Sequence, residues 1–313
     1  MNCRICGNNI SNREFSISEM MYGYKETFPY FQCSKCNCLQ IEKEPEHIER
    51  YYSDYYSFNE IEPPNISGRL RLKFNLLLFS LQPVKFIFQH LFPIGNVKPL
   101  FPLKLNKSSR ILDVGCGSGS MLYLLRDIGF SNLEGIDPNI SKEIQYKNGL
   151  KIKKQDISEV EKPWDLILFN HSLEHIFNQQ QTLNKVKELL SPGGVCIIRI
   201  PVISSFAWKT YGVDWVQIDA PRHFYLHSIE SFKHLASLAG LNVFKISFDS
   251  TDFQFWGSEQ YRAGIPLKDN RSYLNGLKNS IFTVDQINRF RKLADKLNRE
   301  KSGDQAVFYL RKI

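Results

Sequence analysis

A chain of 313 residues, 42% hydrophobic and 23% charged, can bury one large core or two modest ones and is not a disordered or fibrous composition. Its net charge of +8 admits anionic partners, whether nucleic acid, acidic lipid or a nucleotide-linked substrate, without choosing among them. No apolar run reaches the ~18 residues that span a bilayer, the opening MNCRICGNN has no apolar signal-peptide core, and seven cysteines, four of them in C-x-x-C pairs, fit reduced thiols and metal better than disulfides. A cytoplasmic protein is expected.

The first pairs are Cys3 with Cys6 and Cys33 with Cys36, separated by 26 residues. Two such knuckles can close one tetrahedral zinc site of four thiolates, which leaves no open position and is therefore structural. The intervening stretch is long enough for a hairpin, with Phe15–Ser18 and Thr27–Gln32 as strands. Cys38 is a spare thiol beside the second knuckle. Residues 1–45 are thus expected to form a zinc-ribbon-like module.

Residues 46–107 read as a helical connector. In HIERYYSDYYSFNE, His47 to Glu60, the tyrosines 51, 52, 55 and 56 recur with a helical spacing that suits a packed face. Residues 66–105 mix Leu and Phe with Arg69, Arg71, Lys73 and Lys85, and Pro83 divides them into two helices. They form either a cap over a substrate site, the preferred reading, or a peripheral membrane contact with the apolar face down.

The stretch that organises the remainder, 108–313, is ILDVGCGSGS, Ile111 to Ser120. A buried strand ends in an acid, glycines 115, 117 and 119 turn the backbone, and MLYLLRDIG continues as a helix. This is the first half of a nucleotide-binding unit. The spacing is G-x-G-x-G, without the third glycine of the dinucleotide fingerprint, and Asp113 lies two residues before the first glycine. A carboxylate there suits an ammonium group rather than a pyrophosphate. Asp137, 22 residues beyond Gly115, stands where the ribose-binding acid is expected. A ligand with an amino-acid end and an adenosine end is S-adenosylmethionine.

At these residues the chain resembles the class I S-adenosylmethionine-dependent methyltransferases. The likeness continues through QDI (Gln155 to Ile157), DLILFNHSLEHI (Asp165 to Ile176) and LLSPGGVCIIRIP (Leu189 to Pro201). It implies an α/β fold with a Rossmann-like seven-stranded sheet whose last strand is antiparallel. Strands are expected at 110–114, 132–136, 151–154, 166–170, 194–200, 242–248 and 306–311, with helices that include 180–190, 229–239 and 285–299. It also implies that Asp113, Gly115, Cys116, Gly117 and Gly119 hold the methionine end, Asp137 and Pro138 the ribose, and Asp156 and Ile157 the adenine, and that Asn170 and His171, in the loop after the fourth strand, also line the methionine end.

Methyl transfer to a hydroxyl or an acidic carbon needs donor and acceptor held close and a base for the departing proton. His175, in the loop after the fourth strand, and His223, in the insertion from Val202 to His227, are the candidates. The insertion carries Trp208, Tyr211 and Trp215, which suit a substrate wall, and DAPRHFYLHS is similar to the members found in sugar and surface-polysaccharide pathways. Arg262, in the segment after the sixth strand, could meet a phosphate or serve in a surface salt bridge.

The expected partner is therefore a small-molecule sugar, nucleotide- or lipid-linked, with O-methylation slightly favoured over C-methylation. Nucleic acid is not expected, since the N-P-P-Y type of loop is absent after the fourth strand. An RNA methyltransferase with zinc knuckles and a non-catalytic partner-binding module are the alternatives.

Overall fold

A computed structural model describes residues 1–52, 95–100 and 102–313. The helices expected at 66–105 lie outside the described residues, apart from a 3-10 turn at Gly95–Leu100, as do Tyr55 and Tyr56. The strands are β1 (Arg13–Ser18), β2 (Thr27–Gln32), β3 (Leu39–Ile41), β4 (Ile111–Val114), β5 (Leu133–Ile136), β6 (Ile144–Gln145), β7 (Lys151–Lys153), β8 (Trp164–Asn170), β9 (Leu190–Pro201), β10 (Tyr225–Leu226), β11 (Leu241–Phe248) and β12 (Gln305–Lys312). The α-helices are α1 (Ser120–Asp127), α2 (Gln179–Leu189), α3 (Phe206–Tyr211), α4 (Ile229–Leu238), α5 (Phe253–Arg262) and α6 (Val284–Arg299). The chain divides into two compact units: Met1–Ser53 with His171–Lys187 and Ile198–Ile313, and Asp54–Asn170 with Glu188–Ile197.

The second of these is a parallel α/β unit. Its strand order is β9-β8-β4-β5-β7-β6. All four residues of β4 are buried, which is why ILDV reads as an unbroken apolar run interrupted only by its acid. Asp113 is level with Gly135 on β5 and Leu168 on β8, both parallel. The chain leaves β4 toward one side through β5 and β7 and returns on the other through β8. This reversal at β4 is the topological switch point, where open α/β sheets bind ligands at the carboxyl ends of their strands. Arg110 fastens the amino end, with Nη2 donating to Asp165 Oδ1 at 2.9 Å and Ser191 Oγ at 2.8 Å.

In the first unit, β1, β2 and β3 form an antiparallel meander, and β10 adds to its edge through Tyr225↔Gln40 and Leu226↔Leu39. Residues 1–45, expected as a module, therefore cluster with 171–187 and 198–313. Strands β11 and β12 pair antiparallel from Leu241↔Lys312 to Phe248↔Ala306, with a bulge at Val243/Lys245, and β12 neighbours β9. Helix α4 starts where the Ser228 side chain accepts from Ser231 N. Helix α6 starts on a capping box of Thr283 and Gln286.

The strands expected from the sequence are found within a few residues of their bounds. The large sheet has one strand more than the seven expected, the two-residue β6. Glu174 and His175 do not begin a helix: they belong to a 3-10 turn, Leu173–His175, and α2 starts at Gln179.

Candidate functional site

Among the described residues, the second unit holds the glycine-loop cluster, and the first holds an imidazole cluster and the four knuckle cysteines. In the second unit, the loop after β4 keeps positive φ at Gly115 (68°), Gly117 (55°) and Gly119 (80°). At Gly119 a side chain is excluded twice, by that φ and by Ile152, whose Cδ1 would stand 2.3 Å from an added Cβ. Gly135, which the sequence reasoning passed over, is required by space alone, since a Cβ there would meet Ile152 and Cys116 within 2.7 Å. Gly115 N and Cys116 N both donate to Ile136 O, at 2.8 and 3.2 Å.

Asp137 caps this loop from β5. Its Oδ2 accepts from Gly117 N at 2.9 Å and its Oδ1 from Asn139 N at 2.8 Å. Asp113 is buried beside it, and among the described residues its Oδ1 has no hydrogen-bond partner. Burial and then the like charge of Asp137 push the Asp113 carboxyl up to about 8. Burial also raises Asp137, against the two backbone amides that stabilise its charge. Cys116 is raised well above the usual thiol value, by burial first and then by Asp113 and Asp137. Pro138 follows exposed. Asp137 N donates to Lys153 O on β7 at 3.0 Å, so the chain beyond β7 emerges at an adjacent strand end. There Asp156 caps the 3-10 turn Ile157–Glu159, accepting from Ser158 N, with Ile157 buried beneath. Asn170 ends β8, beside β4.

The first unit brings together His171, Glu174, His175, Asp219, Arg222 and His223. His171 has a positive φ of 55°, and its Nδ1 lies 3.4 Å from Glu174 Oε1, so its ring is engaged with that carboxylate. His223 Nδ1 stands 2.8 Å from Gln217 O, and its Nε2 is 4.0 Å from Glu174 Oε1 and 3.8 Å from Asp219 Oδ2. The His175 and His223 rings meet edge to face with centroids 4.6 Å apart. His175 Nδ1 stands 3.0 Å from Arg222 O and 3.0 Å from the Tyr52 hydroxyl, a contact from 123 residues away that no local pattern announces.

Burial and then the charge of His223 lower His175 to about 4. Glu174 is pushed up by burial, but His171, His223 and His175 together bring it below the usual value. Asp219 is likewise opposed by burial, yet the Arg222 guanidinium holds it at about 2. Arg222 is fully buried, with Nε donating to Asp219 Oδ2 at 2.9 Å, Nη1 to Tyr51 O at 3.1 Å and Nη2 lying 3.6 Å from Glu19. It is the anchor of the insertion.

The aromatic wall expected on the insertion is not found as such. Trp215 is buried with Nε1 donating to Asp304 Oδ2 at 3.0 Å. The Tyr211 hydroxyl donates to Glu259 at 3.0 Å. Trp208 packs against Phe15. These rings fill the first unit, because aromatics with polar neighbours suit a hydrogen-bonded core as well as a pocket. Arg262 donates to Thr210 O and approaches Asp214 and Glu259 at the surface.

The four knuckle cysteines converge, with Sγ atoms of all four within 4.8 Å of one another. The Cys3–Cys36 and Cys6–Cys33 sulfurs are each 3.6 Å apart, close to the ~3.8 Å edge of a tetrahedron with Zn–S bonds of ~2.3 Å. Cys3 is lowered to about 4, chiefly by its contact with Cys36, and Gln40 Nε2 donates to it at 2.9 Å. The Cys3 contact and then burial push Cys36 the other way, up, so it is the convergence of the four sulfurs, rather than their titration, that fits zinc. Cys38 stands apart, buried with its sulfur 3.8 Å from His227 Nδ1.

A family model described as a methyltransferase domain matches residues 88–246. The chain belongs to that family. Among curated relatives, a ubiquinone biosynthesis O-methyltransferase of Maricaulis maris is 30% identical over 128 residues, 36% of this chain and 49% of that enzyme. A tRNA U34 carboxymethyltransferase of Campylobacter fetus is 23% identical over 192 residues, 58% of this chain and 67% of that enzyme. Among solved structures, a SAM-dependent methyltransferase from Archaeoglobus fulgidus aligns with a TM-score of 0.43 and 18% identity over 73% of this chain and 99% of that one. The chain spans about half the length, or less, of the ubiquinone-pathway relatives it matches. Within this methyltransferase domain the loop after β4 fits the cationic donor: a buried carboxylate oxygen that finds no partner among the described residues calls for a positive group beside it. Among the described residues, no helix is long and apolar enough to cross a membrane.

Proposed function

We propose that the protein is an S-adenosylmethionine-dependent methyltransferase whose acceptor is a hydroxyl of a nucleotide- or lipid-linked sugar. The observation that carries the cofactor is Asp113, whose buried Oδ1 has no hydrogen-bond partner among the described residues. S-adenosylmethionine supplies an electrophilic methyl group on a sulfonium. Asp113 holds the cationic amino-acid end, Asp137 accepts from the ribose hydroxyls, and Asp156 and Ile157 border the adenine. The proton of the acceptor goes to an imidazole. His223 is preferred over His175, because a ring lowered to about 4 is a weak proton acceptor. The sugar itself rests on the resemblance of DAPRHFYLHS to sugar-pathway members, and the hydroxyl as acceptor is in keeping with the O-methyltransferase likeness.

A second reading, an RNA acceptor, draws on the net charge of +8 and on the likeness to a tRNA-modifying enzyme. The deciding experiment is a turnover assay with radiolabelled methyl donor against nucleotide sugars, lipid-linked saccharides and bulk tRNA. Label on a saccharide supports the first reading; label on tRNA alone replaces it with the second.

We also propose that Cys3, Cys6, Cys33 and Cys36 hold one structural zinc ion. Cys33→Ser is expected to release it and to destabilise the first unit, with zinc content and thermal denaturation as the measurements. Retention of zinc by the variant with unchanged melting would remove the assignment.

A further inference from the structure

Methyl transfer as described leaves Glu174 unexplained. It is fully buried, and among the described residues no group stands within ordinary hydrogen-bond geometry of either carboxylate oxygen. What faces it is imidazole, with His171 Nδ1 at 3.4 Å and His223 Nε2 at 4.0 Å from Oε1. A buried carboxylate that accepts no hydrogen bonds is costly unless a cation meets it.

The neighbouring rings are set by the backbone. His223 Nδ1 lies 2.8 Å from Gln217 O and His175 Nδ1 3.0 Å from Arg222 O. A carbonyl oxygen only accepts, so at His223 Nδ1 carries the hydrogen and Nε2 the lone pair, while at His175 Nδ1 is shared between the Arg222 carbonyl and the Tyr52 hydroxyl. Metal-ligating histidines are oriented in this way, by the hydrogen bond of their second nitrogen. One donor atom from each of Glu174, His175 and His223 lies within 4.8 Å of the other two. Ligands ~2.1 Å from a tetrahedral ion stand about 3.4 Å apart, so shifts of about an ångström close the set. Asp219 is near, but it is committed to Arg222.

We propose that Glu174, His175 and His223 form a binding site for a first-row divalent cation of the zinc class, with one coordination position open to water or to the acceptor hydroxyl. Two imidazoles and a carboxylate favour such an ion over magnesium or calcium, which prefer all-oxygen shells. Three protein ligands with an open fourth position are the arrangement of a catalytic ion rather than a structural one. The proposal rests on reading these residues as the acceptor-side cluster, and it changes what His223 Nε2 holds: an ion where the base reading has a proton.

The test uses the full chain, stripped with a chelator, equilibrated with Co2+ and dialysed. Two ions per chain are expected. One carries the intense thiolate-to-cobalt absorption of the cysteine site; the other shows only the weaker d–d bands of nitrogen and oxygen ligands. Glu174→Gln and His223→Ala should each lose the second ion alone and keep the thiolate band, which reports that the surrounding fold survives. Cys33→Ser should show the reverse. One ion per wild-type chain, or an unchanged cobalt count and visible spectrum in both cluster variants, overturns the proposal. The base reading fails separately, through normal turnover of His223→Ala whatever its cobalt content.

Discussion

The glycine-loop cradle and the imidazole cluster each bury a carboxylate with an oxygen that meets no hydrogen bond of ordinary geometry among the described residues: Asp113 in one, Glu174 in the other. Their titration goes in opposite directions. Asp113 is pushed up to about 8 by burial and then by the like charge of Asp137. Glu174 has three imidazoles and lies below its usual value in spite of equal burial. Desolvation is common to both, so the neighbours decide the sign. A buried acid beside another acid needs positive charge from outside the chain. A buried acid among histidines can find it within the chain, in a proton on a ring or an ion between rings.

The comparison can be broken most forcefully at the cradle. Asp137→Ala removes the proposed ribose contacts and the anchor of Gly117 N, and it is expected to weaken S-adenosylmethionine binding by about 3 kcal/mol, roughly 100-fold. Calorimetric titration measures this, and unchanged affinity would place the nucleotide elsewhere. At the cluster, His223→Ala should slow turnover by about 100-fold while leaving cofactor affinity alone. A parallel His175→Ala assay with the same acceptor sharpens the contrast. A larger loss at His175 would transfer the base role to it.

A smaller effect is expected from Gly119→Ala, which combines a positive φ with a Cβ 2.3 Å from Ile152 Cδ1. It should lower stability by about 2 kcal/mol in chemical denaturation, and a variant as stable as the wild type would show that the loop has slack. The smallest effect is a proton. Because Asp113 stays protonated in the folded chain up to about 8, against a usual value of 3.8, the native state holds a proton between pH 4 and 8 that the unfolded state releases. Stability conferred by the neutral acid is thus lost as pH rises through that window. Binding a cationic donor at pH 7 should ionise Asp113 and release about one proton, read by calorimetry in buffers of different ionisation enthalpy. Asp113→Asn should abolish the release.

Local features were legible in the sequence. The apolar run into Asp113, the glycines after it and the acid at Asp137 are consecutive or nearly so, and sterics alone dictate what they build. The C-x-x-C pairs were legible because each knuckle is a four-residue object. What escaped was decided by distant parts of the chain. The carbonyl that turns His175, from Arg222, and the burial of Trp215 against Asp304 depend on segments far apart. An alternation of aromatic and polar residues has the same pattern whether the polar atoms face a ligand or one another.

Strand β10 is the clearest such case, and it bears on how the chain is made. Leu39 and Gln40 on β3 wait for Leu226 and Tyr225, 185 or more residues later. At ~5–20 residues per second of synthesis, that partner arrives about 10–40 s after the first three strands have left the ribosome. Throughout this interval β3 presents an open edge, the kind of template on which nascent chains pair with one another. Ribosomes translating one message stand close together, so neighbouring copies offer each other that edge. Slower translation between residues 40 and 226 would lengthen the exposure and lower the soluble yield.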